Sequence, residues 1–206
     1  MPTQPPYSSD VAFTPAVKAI QIRKGSRHAY SRMEQGGSWE TTITPELQAF
    51  IAEQTSVFLA TVNLDGQPYI QHRGGPAGFL RVLDEHTLAF VDYAGNRQYI
   101  TAGNLSENPK AHLFLMDYEN RQRVKIWGQA RVVEHDDALV SALMPPGYKA
   151  KPEQVIVFTV SAWDANCNQH IPTRFDASKV QAALDVRDRR IAELEAKLQS
   201  AFGGAK

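Results

Sequence analysis

Cysteine is almost missing from this chain of 206 residues: Cys167 is the only one, so no internal disulfide can form and a reducing compartment is expected. No apolar run approaches the length that crosses a bilayer, and the first residues lack the pattern of a secretion signal. Lys and Arg number 22 and so do Asp and Glu, which leaves no overall field to attract nucleic acid. We expect a soluble cytoplasmic protein with neither membrane nor nucleic acid as a partner.

The signature motifs of several enzyme classes are also missing. The sequence has no G-x-G-x-x-G, no G-x-x-x-x-G-K-[ST], no G-x-S-x-G and no H-E-x-x-H. A zinc site at Cys167 and His170 would need a further Cys or His at ligand spacing, and none is near, so no metal is expected. A Cys/His nucleophile pair in this short loop would rarely align, and a packed loop is the simpler interpretation.

What the sequence does contain is a series of short β-branched and aromatic runs separated by turn residues. Short connections favour antiparallel pairing, and the pattern predicts a mainly β (α+β) fold of six to seven strands in a barrel with peripheral helices. Gly128 interrupts the longest run and predicts a bulge. The predicted strands span 57–62, 68–72, 79–83, 88–92, 111–116, 121–134 and 154–160.

Helices are predicted at the edges of this barrel. Thr44 followed by Pro45 is a helix start and predicts a helix over 45–53, and two more are expected over 97–107 and 136–143. Residues 1–40 carry scattered Pro, Gly and charge, with a weak helical pattern over 11–22, and are interpreted as an arm on the barrel domain of 41–176.

The segment 177–206 is different in kind, with a predicted helix over 178–202. Its apolar residues recur at three- and four-residue steps, and Arg187 interrupts them. The helix could pack on its own barrel or form a short coiled coil between two chains, and the sequence favours neither. The apolar residues are Val180, Leu184, Ile191, Leu194 and Leu198.

Three local features could bind a ligand, and each has a purely structural alternative. Asn96 as an N-cap and Arg97 beside it would suit a phosphate monoester, or would be an ordinary capped helix. Gly74 and its neighbour Gly75 would let a flat ligand, or another stretch of backbone, come close. A basic stripe on the 121–134 strand could be a solvated face.

Taken together, these features favour a cofactor. Antiparallel pairing can bring four cations near one another beside aromatic rings, which would suit a phosphorylated, planar cofactor. The four are Arg73, Arg97, Arg123 and Lys125.

At this point the sequence resembles the pyridoxamine 5′-phosphate oxidase-like family of FMN-binding split barrels. The resemblance runs from Phe58 to Val133 through Phe58-Leu59-Ala60-Thr61-Val62, Asp65-Gly66-Gln67-Pro68, Leu88-Ala89-Phe90-Val91-Asp92, Asn96-Arg97-Gln98, Asn108-Pro109 and Arg123-Val124-Lys125-Ile126-Trp127-Gly128. A bacterial subgroup of flavin proteins is similar also through Ser9-Asp10-Val11-Ala12-Phe13-Thr14-Pro15, Gln71-His72-Arg73-Gly74-Gly75-Pro76 and Asn166-Cys167-Asn168-Gln169-His170-Ile171-Pro172.

This resemblance implies a Greek-key split barrel that forms a homodimer with FMN in clefts at the subunit interface. It implies that Arg123 faces the flavin and that either Arg73 or Arg81 contacts the phosphate. The positions that line the phosphate and ribityl chain match Val91, Asp92, Asn96, Arg97 and Gln98.

Two departures from the family pattern separate cofactor from substrate. Gln98 stands where the vitamin B6 enzymes carry lysine, and their Arg-Leu-Ala-Pro-type ending is missing, so a vitamin B6 phosphate is not the expected substrate. The resulting hypothesis is an FMN-dependent oxidoreductase for an unidentified small molecule, with His170 as a proton donor. The alternatives are a flavin-binding carrier, sensor or interaction module without turnover, and a split barrel that binds haem or another ligand.

Overall fold

An antiparallel sheet of seven strands forms the centre of the fold, in a computed structural model that describes residues 6–166 and 169–203. The sheet order is β2-β1-β5-β6-β7-β4-β3, and every neighbouring pair is antiparallel. The predicted mainly β fold of six to seven antiparallel strands is confirmed. The strands are β1 (Ser56–Val62), β2 (Pro68–Gly74), β3 (Arg81–Asp84), β4 (Thr87–Tyr93), β5 (Lys110–Asp117), β6 (Gln122–Val133) and β7 (Pro152–Asn166).

Six helices accompany the sheet within the described ranges, and the last of them is by far the longest. Residues 6–166 and 169–203 contain no helix that is both long and apolar enough to span a membrane. The helices are α1 (Pro15–Lys24), α2 (Arg27–Gln35), α3 (Pro45–Glu53), α4 (Ile100–Glu107), α5 (Asp137–Leu143) and α6 (Ala177–Gly203).

Backbone contacts divide the chain into two units. The first comprises Met1–Asp117 and Gln122–Asn168 and contains the whole sheet with α1 to α5. The second comprises Tyr118–Arg121 and Gln169–Lys206 and contains α6. Within the second unit, the Arg174 guanidinium lies 4.5 Å from the ring centre of Tyr118, and Lys179 forms an ion pair with Glu119.

The core of the first unit lies between the inner faces of the strands and α3. Leu59, Phe90, Ile126 and Phe158 are fully buried there, and Ile51 closes the core from α3. On β6 the buried residues alternate from Val124 to Ala130, as the predicted face of this strand requires. Strand β4 is buried on both faces because α5 covers its outer side, which explains its unbroken apolar run.

The bulge predicted at Gly128 is confirmed. The register of β6 with β7 shifts between Trp127 and Gly128. A Cβ atom at Gly128 would lie 2.0 Å from the Thr159 carbonyl oxygen and 2.6 Å from Cε1 of Phe158, so only glycine fits between these strands.

Three element predictions were wrong in their extent. Strand β7 continues to Asn166 because its second half pairs with the first half of β6, a long-range contact that its small and polar residues do not announce. The N-terminal arm contains α2 as well as α1, and the sequence predicted only one weak helix there. Helix α4 begins at Ile100 rather than at residue 97, because Arg97 and Tyr99 have φ angles of 60° and 54° and break the helical path.

Candidate functional site

A cleft of about 290 Å³ opens where β2 and β4 end and α4 begins. The loop between β4 and α4 forms one wall, and the start of β7 closes the far side through Glu153 and Gln154. Most of the predicted cofactor residues line this cleft: Arg73, Gly74, Val91, Asp92, Asn96, Arg97 and Gln98.

Arg73 and Asp92 face each other inside the cleft. The Arg73 Nε atom lies 2.6 Å from Asp92 Oδ1, and Nη2 donates to Oδ2 at 3.4 Å. Gln154 also donates to Oδ2, at 3.0 Å, because the register of β4 with β7 sets it opposite Asp92. The carboxylate thus fixes the guanidinium from one side, with only 17% of the Arg73 side chain exposed.

Two buried donors of the cleft have no hydrogen-bond partner among the described residues. They are the Arg73 Nε atom, despite its ion pair, and the Tyr93 hydroxyl. Burial raises the pKa of Tyr93, and the nearby Tyr148 raises it further, so the hydroxyl keeps its proton at neutral pH. Because buried donors are normally satisfied, this pair points to an acceptor that the chain itself does not supply.

Arg97 stands at the mouth of the cleft. Its Nε donates to the Tyr99 hydroxyl at 3.2 Å, and that hydroxyl donates to Glu153 at 2.8 Å. The hydrogen bond to Tyr99 raises the pKa of Arg97, with smaller contributions from the charges of Tyr99 and Glu153. The guanidinium therefore stays charged and tethered to β7 while remaining exposed.

The first turn of α4 also reaches the cleft, through Ile100, Thr101 and Ala102. Tyr99 occupies the N-cap position in a left-handed conformation, and its side chain makes no capping hydrogen bond. The N–H groups of this turn therefore lack a side-chain acceptor at the positive end of the helix dipole. An anion in the cleft could accept them.

Asn96 is not the helix cap that the sequence predicted. Its side-chain oxygen instead accepts from the Gln98 N–H at 3.2 Å, in a turn that precedes α4. Its Nδ2 donates to the Gln98 side-chain oxygen at 3.3 Å. Gln98 is thus a neutral residue held by its own loop, and it adds no positive charge to the cleft.

The glycines at the end of β2 serve the chain's own packing. The Gly75 N–H donates to the Thr55 carbonyl at 3.0 Å, and a Cβ at Gly74 would lie 3.1 Å from that same oxygen. Of the two explanations that the sequence left open, close approach of another stretch of backbone is the one found here. Gly74 nevertheless lines the cleft beside Arg73.

The remaining predicted cations lie away from this cleft. Arg81 is exposed at the start of β3, and Arg123 lies on β6, where its buried Nε has no hydrogen-bond partner among the described residues. The expectation that Arg73, Arg97, Arg123 and Lys125 would converge in one site of a single chain is therefore wrong. Strand β6 is separated from β4 by β7, which sequence periodicity alone does not reveal.

Lys125 belongs to a different cavity, of about 480 Å³, between β6 and the N-terminal arm. Its Nζ lies 2.9 Å from Asp164 Oδ2 and 5.3 Å from the ring centre of Trp127. Trp39 from the arm stacks on Trp127 with ring centres 4.6 Å apart. Lys125 thus contributes to the packing of the arm on β6.

His170 lies in the second unit, in an exposed turn with a φ angle of 62°. Cys167, its partner in the rejected zinc and nucleophile hypotheses, lies outside the described residues. In the described part of the chain, no group of three His, Cys, Asp or Glu residues is arranged to hold a metal ion.

Sequence reasoning missed several cleft residues, and the missed ones are mostly aromatic or on β7. They lie outside the segments on which the resemblance rests, or between its motifs, and only strand pairing brings them into the cleft. The missed residues are Tyr69, Tyr93, Tyr99, Glu153 and Gln154.

Comparison with known proteins places this cleft within a family. A sequence model described as pyridoxamine 5′-phosphate oxidase matches residues 43–167, which is more than half of the chain and includes the whole cleft. The chain belongs to the pyridoxamine 5′-phosphate oxidase family. The arm and α6 lie outside the part that matches the family. No protein with a curated description matches the sequence.

Solved structures similar to this family member share its fold. HupZ of Group A Streptococcus is 21% identical, has a TM-score of 0.50, and the match covers 65% of this chain and 99% of HupZ. A Clostridium acetobutylicum protein related to general stress protein 26, of the pyridoxinephosphate oxidase family, is 16% identical over 66% of this chain and 94% of its own, with a TM-score of 0.44. HutZ, the heme storage protein of Vibrio cholerae, is 18% identical over 58% of this chain and 89% of its own, with a TM-score of 0.39.

Proposed function

We propose that this chain binds FMN, with the phosphate in the cleft between β2, β4 and α4, and uses it in an oxidoreductase reaction on a small molecule. One observation carries the proposal: the uncapped first turn of α4, the Arg97 guanidinium and the unsatisfied Arg73 Nε–H all meet at one cleft. Membership in the pyridoxamine 5′-phosphate oxidase family supports FMN as the phosphorylated cofactor.

Each of these groups has a distinct task in holding a phosphate. The N–H groups of the α4 first turn donate to phosphate oxygens along the helix dipole. Arg97 adds a charged, forked donor at the cleft mouth, and its bond to Tyr99 limits its motion. Arg73 donates from the opposite wall, in the orientation that Asp92 imposes. The Tyr93 hydroxyl, protonated and unpaired among the described residues, offers a further neutral donor.

The size of the cleft suits part of a flavin nucleotide rather than all of it. Pockets that enclose a whole ligand commonly measure roughly 300–1,000 Å³, and this cleft measures about 290 Å³. A phosphate and ribityl chain would occupy it, and the ring would extend beyond it. We propose that two copies of the chain assemble around the ring and that Arg123 faces it there, as the family resemblance implies.

When bound, the isoalloxazine ring supplies electron transfer, which no side chain of this protein can carry out. The protein's share is binding, orientation and charge balance. His170 as a proton donor stays a prediction. A vitamin B6 phosphate is not proposed as substrate, because Gln98 is neutral and held by Asn96 where the vitamin B6 enzymes carry lysine.

The first experiment is the visible absorption spectrum of the freshly purified full chain, followed by denaturation and mass identification of any released chromophore. Two flavin bands with FMN released near one per chain would support the proposal. A Soret band with released haem would overturn it and establish the haem alternative. A colourless protein that takes up neither added FMN nor haem would overturn it as well.

A second experiment tests the phosphate site directly by comparing FMN with riboflavin, which has the same ring and no phosphate. We expect FMN to bind roughly a hundredfold more tightly, since several charge-assisted hydrogen bonds depend on the phosphate. Equal affinities would overturn the placement of the phosphate in this cleft. Reduction of the bound flavin by NADH or NADPH would then support turnover, and a flavin that no donor reduces would favour the carrier or sensor alternative.

A further inference from the structure

Helix α6 has an apolar seam that is open along its whole length. It spans 27 residues, Ala177–Gly203, which corresponds to about 40 Å at 1.5 Å per residue. Every residue from Ala177 to Phe202 is exposed. The apolar residues of the seam are 42–55% exposed, and they are Val180, Leu184, Ile191, Leu194 and Leu198.

The spacing of the seam is that of a heptad repeat. From Val180 the steps alternate between four and three residues up to Ala201, so that Leu184, Ile191 and Leu198 occupy a positions. Val180 and Leu194 occupy d positions. A 3.5-residue period keeps such a seam on a single side when two helices supercoil, which an exposed amphipathic surface helix does not require.

The charges beside the seam distinguish the possible arrangements. The g positions carry the basic residues Arg190 and Lys197, and the e positions carry the acids Asp188 and Glu195. In an antiparallel pair, g faces g and e faces e, so every such contact would join like charges. In a parallel pair, g faces the e position five residues further along the partner, and Arg190 then meets Glu195 of the second copy.

Arg187 at a d position fixes the register. In a parallel pair without any shift, the two Arg187 side chains share a layer, and each is flanked by Asp188 of the other helix. A shift by one heptad would instead set each arginine against Val180 or Leu194, with no acid at the same level. A charged residue within a seam lowers stability and selects one register, and three arginines in one layer would disfavour a trimer.

We propose that α6 forms a parallel, in-register, two-stranded coiled coil with α6 of a second copy of this chain. The Arg190 guanidinium, which bonds to Glu193 within its own helix at 2.9 Å, would also reach Glu195 across the seam. Both strands of such a coil are related by one two-fold axis, which makes the contact isologous. The proposal does not rest on flavin binding, because it uses only residues of α6.

Cysteine cross-linking tests the geometry in the full chain. In a Cys167→Ser background, Leu194→Cys should form an interchain disulfide under mild oxidation, because equivalent d positions adjoin in a parallel in-register pair. Ile191→Cys at an a position is a second probe. Glu193→Cys, on the outer face of the same turn, is the matched control and should remain largely monomeric on a non-reducing gel. Circular dichroism checks that each variant keeps its helix.

A charge exchange tests the partner contact. Arg190→Glu should weaken association of the chains roughly fivefold, measured by the concentration dependence of the oligomer, and Glu195→Arg should do the same. The double exchange should restore it, because the two residues are five apart and do not face each other within a single helix. Equal cross-linking at residues 193 and 194, none at 191 and 194, or no rescue would overturn the proposal. Flavin content measured in parallel reports on the cleft separately.

Discussion

Arg73 and Asp92, from two strands that are not neighbours in the sheet, form an ion pair with Nε and Oδ1 2.6 Å apart. The two side chains are only 17% and 9% exposed, and Gln154 holds the same carboxylate from β7. This pair joins the end of β2 to the end of β4, which are the two strands that border the cleft. It therefore links the stability of the fold to the shape of the candidate site.

Replacing Asp92 with Ala should destabilise the protein by about 3 kcal/mol, because it leaves a largely buried guanidinium without its counter-ion. Urea unfolding of the flavin-free protein measures this loss. Asp65→Ala, in an exposed turn, is the control and should change stability by less than about 0.5 kcal/mol. Equal effects of the two substitutions would contradict a structural role for the pair.

Arg97→Ala should lower FMN affinity by about tenfold to a hundredfold, since it removes the exposed charged donor at the cleft mouth. Riboflavin affinity should hardly change, because the lost contact is to the phosphate. Titration with each flavin measures both. Arg81→Ala removes an exposed arginine from β3, outside the cleft, and should leave both affinities unchanged. A loss of similar size at residue 81 would show that the cleft is not the phosphate site.

The sequence predicted the fold well where the signal is local. The cap at Thr44 and the proline after it give α3 its observed bounds, Pro45–Glu53, and alternation along β6 identifies its buried face. It failed where tertiary contacts decide. The second half of β7 is a strand because β6 pairs with it, and α4 begins late because Arg97 and Tyr99 are left-handed, which neither residue type favours.

The candidate site divides in the same way. The residues from Val91 to Gln98 are contiguous, so a single motif predicted most of that wall of the cleft. Glu153 and Gln154 enter from a strand some 60 residues later, by way of the pairing of Asp92 with Gln154. Arg123 and Lys125 share a face of β6 that one chain does not bring to the cleft, and periodicity carries no information on which strand lies between.

Gly128→Ala should destabilise the protein by roughly 3 kcal/mol or more, because its Cβ would lie 2.0 Å from the Thr159 carbonyl oxygen, and backbone cannot easily move there. Gly103→Ala is the matched control. Gly103 lies in α4 with open space around its Cα, so alanine there should stabilise the helix by about 0.5–1 kcal/mol. Thermal unfolding of the two variants measures effects that should have opposite signs.

His112 should make stability depend on pH in a mildly acidic range. Its ring lies among Phe114 and Trp127, and burial, aided by the charge of Lys125, lowers its pKa from 6.5 to about 4. Between these values the unfolded chain binds a proton that the folded chain does not, so the free energy of unfolding falls as the pH drops from 6.5 to 4. The contribution of this residue is roughly 3 kcal/mol at full extent.

The variant His112→Gln isolates this contribution from that of the carboxylates, which titrate in the same range. Urea unfolding at pH 7 and pH 4.5 gives a stability difference for each protein, and the wild-type difference should exceed that of the variant by about 2 to 3 kcal/mol. Because Trp127 contacts the His112 ring edge-on at 4.9 Å, its fluorescence reports unfolding at the same place. Identical pH dependence in the two proteins would mean that His112 is protonated in the folded state as readily as in the unfolded chain.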